Sequence, residues 1–184
     1  MFYGVLFYME KRGNYIMTKE IMDQNQIKRS LIRISYEIIE KLQNPDELTL
    51  LGIKSRGESL AKTVAQLLEQ NNPETKINLY DLDVRKHRDD DRQEDVTNDI
   101  PKDAIDNKTV ILIDDVLFTG RTIRAALDSV SEIGRAKRIC LAVLVDRGHR
   151  ELPIRPDFIG KNIPTSINEH VQLQLGDTQA VILN

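Results

Sequence analysis

At 184 residues the chain is about one domain long, enough to bury a single large core. With 40% apolar and 30% charged residues, no Trp and a net charge of −3, its bulk charge neither favours nor excludes nucleic acid, and an anionic partner requires a local basic patch. No apolar run approaches the ~20 residues of a membrane helix, and the lone Cys140 excludes an internal disulfide and suits a reducing cytosol, where it reads as a buried core thiol.

Met1 to Tyr8 is apolar but lacks a basic lead and a small-residue cleavage site. Met17 opens a more polar start. Residues 1–16 are therefore read as an appended extension, disordered or foreign to the working protein, and 17–184 as one domain. From Gln26 to Leu42, Ile27, Leu31, Ile34, Ile38 and Leu42 recur at helical spacing, and Asn44-Pro45 ends the helix. Glu47 to Ile53 is a short buried strand. Lys54-Ser-Arg-Gly57 leads into a second amphipathic helix through Leu60, Val64, Leu67 and Leu68, followed by a strand from Lys76 to Val84.

Arg85 to Asp106 is crowded with charge and poor in apolar residues. It reads equally as a solvated surface loop or an active-site lid, because long unstructured insertions in compact domains are uncommon. Thr109 to Asp114 is a continuous apolar strand, the pattern of a parallel sheet covered on both faces. A helix from Arg121 to Ile133, with Gly134 as its C-terminal cap, precedes a strand from Arg138 to Val145. Val171 to Leu175 and Ala180 to Leu183 are expected as edge strands. Alternating strands and helices predict an α/β fold with a mainly parallel sheet.

Asp114 and Asp115 follow a buried strand, where ligands of open α/β sheets bind. Carboxylates there can accept hydrogen bonds from vicinal ribose hydroxyls. Four residues on, Thr119-Gly-Arg-Thr122 opens a helix whose N–H groups form an anion nest. An isolated Thr-Gly pair would be only a turn and a cap. The full strand, two Asp, a spacer and Thr-Gly-Arg-Thr together point to a ribose phosphate.

This run resembles the phosphoribosyl pyrophosphate (PRPP) signature of type I phosphoribosyltransferases. The resemblance implies their α/β fold: a mainly parallel central sheet flanked by helices, a small hood and a flexible loop. It implies that Asp114 and Asp115 bind the ribose hydroxyls, while Thr119, Gly120, Arg121 and Thr122 bind the 5′-phosphate. Lys54 to Gly57 looks like the family's pyrophosphate loop, which can hold a non-proline cis peptide, with Ser55 and Arg56 donating to the leaving group. Without the main signature this segment would pass for a strand-to-helix turn. Arg88, Asp89 and Asp90 match the flexible loop, with Arg88 meeting charge that grows on pyrophosphate. The resemblance implies Mg²⁺ with PRPP, held by substrate oxygens and water and not by a protein side-chain site.

Ala142 to Thr165 resembles, almost residue for residue, the PyrR family of bifunctional pyrimidine-operon attenuators with uracil phosphoribosyltransferase activity; the likeness runs from about Gln26 to the C-terminus. It implies UMP and pyrophosphate formed from uracil and PRPP, with Arg56, Arg88, Asp114 and Asp115 in catalysis. Pro156 to Gly160 also resembles the base-binding hood of purine enzymes. By that analogy Phe158 stacks on the base, the Ile159 backbone reads its edge, and Val145 and Arg147 lie nearby; taken alone, Phe158 fits core packing equally well. Purine enzymes carry an Asp where this chain has Phe118, so a purine or orotate substrate is disfavoured and no side-chain base is expected there.

The PyrR resemblance further implies UMP-dependent binding of pyrimidine-operon leader messenger RNA in the cytoplasm, and a homodimer or larger assembly. Candidate RNA contacts are Lys28, Arg29 and Arg33 on the first helix and Arg150, Arg155 and Lys161 later, which read equally as solvated charge. Family regulators show Thr and His where this chain has Ile32 and Tyr36. The alternative is therefore a divergent paralogue that is a uracil phosphoribosyltransferase with weak or no RNA regulation.

Overall fold

Three apolar runs, β3 (Glu47–Ile53), β5 (Thr109–Leu117) and β6 (Arg138–Asp146), lie side by side at the centre of a parallel sheet. The computed structural model describes residues 6–11, 14–90, 93–176 and 178–184. β4 (Lys76–Leu82) and β7 (Phe158–Asn162) flank the runs, giving the order β4-β3-β5-β6-β7 with every neighbouring pair parallel.

Side chains of a strand alternate between faces, and the two faces carry different cores. Ile111, Ile113, Cys140 and Ala142 pack against α1 (Gln24–Leu42) and α2 (Gly57–Asn71). Val110, Leu112, Leu141 and Val143 pack under α3 (Arg121–Ile133), together with Ile100, Ala104 and Ile105. Burial on both faces is why these strands read as unbroken apolar runs. Cys140 is buried between the sheet and its helices, and burial raises its thiol pKa, as suits a structural thiol.

Helix α1 begins at a reciprocal capping box. The Gln26 N–H donates to Asp23 Oδ1 at 2.7 Å, and the Asp23 N–H donates to Gln26 Oε1 at 3.0 Å. It ends in two left-handed residues, Gln43 and Asn44 (φ 56° and 52°), with the Asn44 N–H donating to the Ile39 carbonyl.

Three expectations change in detail. Strand β5 runs on to Leu117, so Asp114 and Asp115 lie inside its last residues instead of after it. Of Pro156 to Gly160, likened to a hood, residues 158–160 begin edge strand β7 (Phe158–Asn162) of the main sheet; five residues with Gly160 among them give little strand signal. Residues 85–106 divide into a charged stretch and a packed one, since Ile100, Ala104 and Ile105 are buried and Thr49 Oγ1 donates to the Ala104 carbonyl at 2.6 Å.

A second, antiparallel sheet has the order β1-β2-β9-β8, built from β1 (Leu6–Lys11), β2 (Asn14–Met22), β8 (Val171–Gln174) and β9 (Ala180–Leu183). β8 is an edge strand, as expected, but β9 is interior, between β2 and β8. Within the proposed N-terminal extension, residues 1–5, 12 and 13 lie outside the described residues.

Candidate active site

The carboxyl ends of β3, β4 and β5 come together, and each carries charge. At the end of β5, Asp114 is buried and the Asp115 N–H donates to its Oδ1 at 2.9 Å. Burial first, and the adjacent Asp115 carboxylate second, push the Asp114 carboxyl well above the ordinary carboxylate range. Asp115 is half-buried and pairs with Arg56 Nη1 at 3.8 Å. The Asp114–Asp115 pair thus touches the Lys54–Gly57 loop directly.

That loop, Lys54 to Gly57, leaves β3 through a cis peptide between Lys54 and Ser55 and runs straight into α2. A Cβ on Gly57 would sit 2.3 Å from the Ile113 carbonyl oxygen, so glycine allows the start of α2 to lie against β5 beside Asp114. The N-cap residues of α2 and α3, Arg56 and Gly120, make no side-chain cap, in contrast to Asp23 of α1, and at α3 the Arg121 N–H meets Thr119 Oγ1 at 3.4 Å. Helix starts of this kind can receive anions.

At the start of α3, Gly120 takes a left-handed conformation (φ 93°) that turns the chain from Thr119 into the helix. Thr119 and Thr122 are half-buried and Arg121 is exposed. The Thr119 carbonyl accepts from the Glu151 and Leu152 N–H groups at 3.0 and 3.2 Å, tying this turn to residues 147–152. Arg121 pairs with Glu151 (2.6 Å) and Asp89 (3.1 Å), and those two contacts, Glu151 first, raise its pKa.

The charged stretch after β4 follows α3. Lys86 and His87 both reach Glu132 near the end of the helix, while Asp89 takes Arg124 at 2.6 Å near its start. Arg88 grips Asp90 with two hydrogen bonds, at 2.7 and 2.6 Å, and borders a cleft of about 480 Å³ with Lys54, Ser55, Glu58, Asp83, Val84 and Arg85. Ser55, Arg56, Arg88, Asp114, Asp115 and Thr119 to Thr122 are thereby gathered at one edge of the sheet.

The proposed base-binding residues divide. Val145 and Phe158 are buried in the core on the α1 side, and Lys41 lies 5.3 Å from the Phe158 ring centre. With 2% of its surface exposed, Phe158 presents no face for a base to stack on. Ile159 packs on the α3 side, and its carbonyl accepts from Arg33 at 2.8 Å. Arg147 does lie beside the phosphate turn. Its guanidinium carbon stands 3.9 Å from the Phe118 ring centre, and it donates to Thr165 Oγ1 and to the Ser166 and Glu169 carbonyls. Burial lowers the Arg147 pKa.

Among the candidate RNA contacts, Lys28, Arg29 and Arg155 are exposed. Arg33 joins α1 to β7 by donating to the Ile159 and Gly160 carbonyls, and Lys161 reaches the Ile21 carbonyl of β2 at 2.9 Å. Arg150 turns the other way, pairing with Asp146 at 2.6 Å and donating to the Phe118 carbonyl at 2.7 Å.

Sequence reasoning missed Asp83, whose buried carboxylate accepts from Arg85 and lies 4.0 Å from Lys54. The available signal was a carboxylate at the end of a strand, as at Asp114.

Among the described residues no helix is long and apolar enough to cross a membrane, and no three His, Cys, Asp or Glu side chains converge on one point.

The profile of the phosphoribosyl transferase domain family matches residues 17–178. Curated relatives include "Bifunctional protein PyrR" of Latilactobacillus sakei, 52% identical over 168 residues and covering 86% of this chain and 92% of that protein. The Streptococcus mutans protein of the same name is 48% identical, covering 90% and 95%. "Pyrimidine operon regulatory protein" of Lactococcus lactis subsp. lactis is 51% identical, covering 86% and 91%. The fold is shared with a hypoxanthine phosphoribosyltransferase from Staphylococcus aureus (TM-score 0.66, 18% identity, 80% of this chain and 79% of that chain). The chain belongs to the phosphoribosyl transferase family and, within it, to the PyrR proteins.

Proposed function

We propose that this protein forms UMP and pyrophosphate from uracil and PRPP, and that UMP in the same pocket switches it to bind pyrimidine-operon leader RNA and attenuate transcription. The observation that carries the reading is the Asp114–Asp115 pair set against Arg56 beside the starts of α2 and α3, in a chain about half identical to PyrR proteins along most of its length.

In this reading Asp114 and Asp115 grip the ribose hydroxyls, and the Thr119–Thr122 turn with the α3 N–H groups holds the 5′-phosphate. Ser55 and Arg56, with Arg88 from the charged stretch, take up the charge that grows on pyrophosphate as its bond to the anomeric carbon breaks. Closure of that stretch would shield the cationic ribose from water. Catalysis is positioning plus electrostatics. Phe118 has no proton to exchange, and its ring is already covered by Arg147 and met edge-on by His149 (centres 5.7 Å apart). Bound Mg²⁺ would neutralise phosphate charge. Of the residues expected at the base, Arg147 lies beside the Thr119–Thr122 turn, and at 4% exposed it would act from behind the Phe118 ring, whereas Phe158 is enclosed by the core.

RNA would meet Lys28, Arg29 and Arg33 on α1 and Arg155 and Lys161 beyond it, with affinity falling steeply in salt. A dimer or larger homo-oligomer in the cytoplasm is part of this proposal. Ile32 and Tyr36 favour a second reading, an enzyme that has lost regulation: Tyr36 is 56% exposed and uses its hydroxyl on Asn71 at 3.3 Å.

Two assays on one preparation decide. Uracil and PRPP must yield UMP, and UMP must increase retention of a pyrimidine-leader RNA. Failure of the first sinks the transferase; RNA affinity indifferent to UMP sinks the switch and leaves the enzyme alone.

A further inference from the structure

Asp83 directly follows the mixed strand β4 and is a buried carboxylate on the pyrophosphate side of the site. Its side chain is 4% exposed, whereas those of its cationic partners Lys54 and Arg85 are 47% and 49% exposed. Arg85 donates to it through Nε and Nη2, and the Arg85 N–H adds a third donor at 3.1 Å. The Arg85 contacts, its side-chain hydrogen bonds foremost, hold the carboxylate below its ordinary pKa, so it stays an anion. Lys54, the residue leading into Ser55, completes the group at 4.0 Å, and its N–H donates to the Leu82 carbonyl next door.

The backbone of Asp83 is held as well. Its N–H donates to Asn98 Oδ1 at 2.7 Å and its carbonyl accepts from Asn98 Nδ2 at 3.0 Å. One residue thus joins the pyrophosphate loop through Lys54, the outgoing charged stretch through Arg85, and the returning stretch through Asn98. Clefts of about 480 and 670 Å³ lie here, and Lys54, Asp83 and Arg85 line both. A buried anion with two half-exposed cations fixes where the cations point, because separating them would leave an unpaired charge in the interior.

We propose that Asp83 is a positioning residue for the pyrophosphate half of the reaction, aiming Lys54 and Arg85 into the cleft and clasping the charged stretch at both ends. This rests on the transferase reading above. The test begins with inorganic pyrophosphate binding by calorimetry, which needs no turnover. Asp83→Asn should weaken that binding about tenfold and raise KM for PRPP by a similar factor, with KM for uracil unchanged. Asn98→Ala, which leaves both cations paired, should speed tryptic cleavage after Arg85, Lys86 and Arg88 while weakening pyrophosphate less. Unchanged pyrophosphate affinity in a folded Asp83→Asn protein overturns the proposal. So does an equal rise in both KM values, the mark of general damage. If Asp83→Asn does not fold, Asn98→Ala decides alone, and unaltered cleavage refutes the clasp. A wild type that binds pyrophosphate but makes no UMP defeats the transferase reading instead.

Discussion

Asp114 and Asp115 are neighbours in sequence with unequal surroundings. Asp114 is enclosed and Asp115 faces Arg56, so burial and like charge fall chiefly on the first. A carboxyl whose folded pKa is raised binds its proton more tightly in the native state. Its ionisation therefore costs stability as pH rises from the ordinary carboxylate value through the raised one. Asp114→Asn should lower kcat/KM about a hundredfold while increasing Tm at neutral pH by about 2–4 °C, read by UMP formation and thermal unfolding. A lower Tm would mean that Asp114 is a structural acceptor first. Phe118 makes the opposite case, an apolar group at a position where acid–base chemistry would need a carboxyl. Phe118→Ala should leave the shape of the pH–rate profile unchanged, and a lost or displaced ionisation would show that the ring governs a proton.

At the scale of elements, the two ends of the sheet divide the work. The amino ends of β3, β4 and β5 are fastened by Glu47, which takes Lys108, Lys76 and Asn78. Those hydrogen bonds, Lys108 foremost, bring its pKa down from 4.5 to about 2. A depressed carboxylate contributes stability that is whole above about pH 4.5 and lost as pH falls through about 2. Glu47→Gln should therefore be less stable than wild type at neutral pH, and urea titrations should converge as pH drops through that window. The carboxyl ends carry the site, and their own ion pairs, Asp83 with Lys54 and Asp115 with Arg56, lie within it. There Gly57 sets how closely α2 approaches β5. Gly57→Ala must push the helix off the Ile113 carbonyl, and KM for PRPP should rise about tenfold as Ser55 and Arg56 shift. An unaltered KM would show that the loop moves independently of the helix.

Across the whole molecule, we propose that the N-terminal hairpin is separable from the rest. β1 pairs with residues 14–19 of β2, whereas β9 is joined through Lys19, Glu20 and Met22. A chain starting at Met17 keeps every β2–β9 pair, and the family profile starts there too. Residues 17–184 alone should match the full chain in UMP formation; loss of turnover would make the extension part of the domain. The fold was legible because continuous apolar runs and helical stripes need only local periodicity to be seen. The turn at Thr119–Thr122 and the loop at Lys54–Gly57 were legible for the same reason, each lying in one short stretch. Phe158 was not, because the side of the sheet it faces depends on the pairing of β7 with β6.

Sequence by itself determined that this protein has a buried parallel sheet, a carboxylate pair before a helix start, and membership of a family that handles PRPP. Each is a property of contiguous residues. Tertiary structure decided which of the side chains act together: Asp115 of β5 with Arg56 at the start of α2, Arg147 over Phe118, and Asp83 with Lys54 and Asn98. Such pairings are set by strand order and sheet twist, which place residues distant in the chain within a few ångströms, and no spacing along the chain encodes that distance.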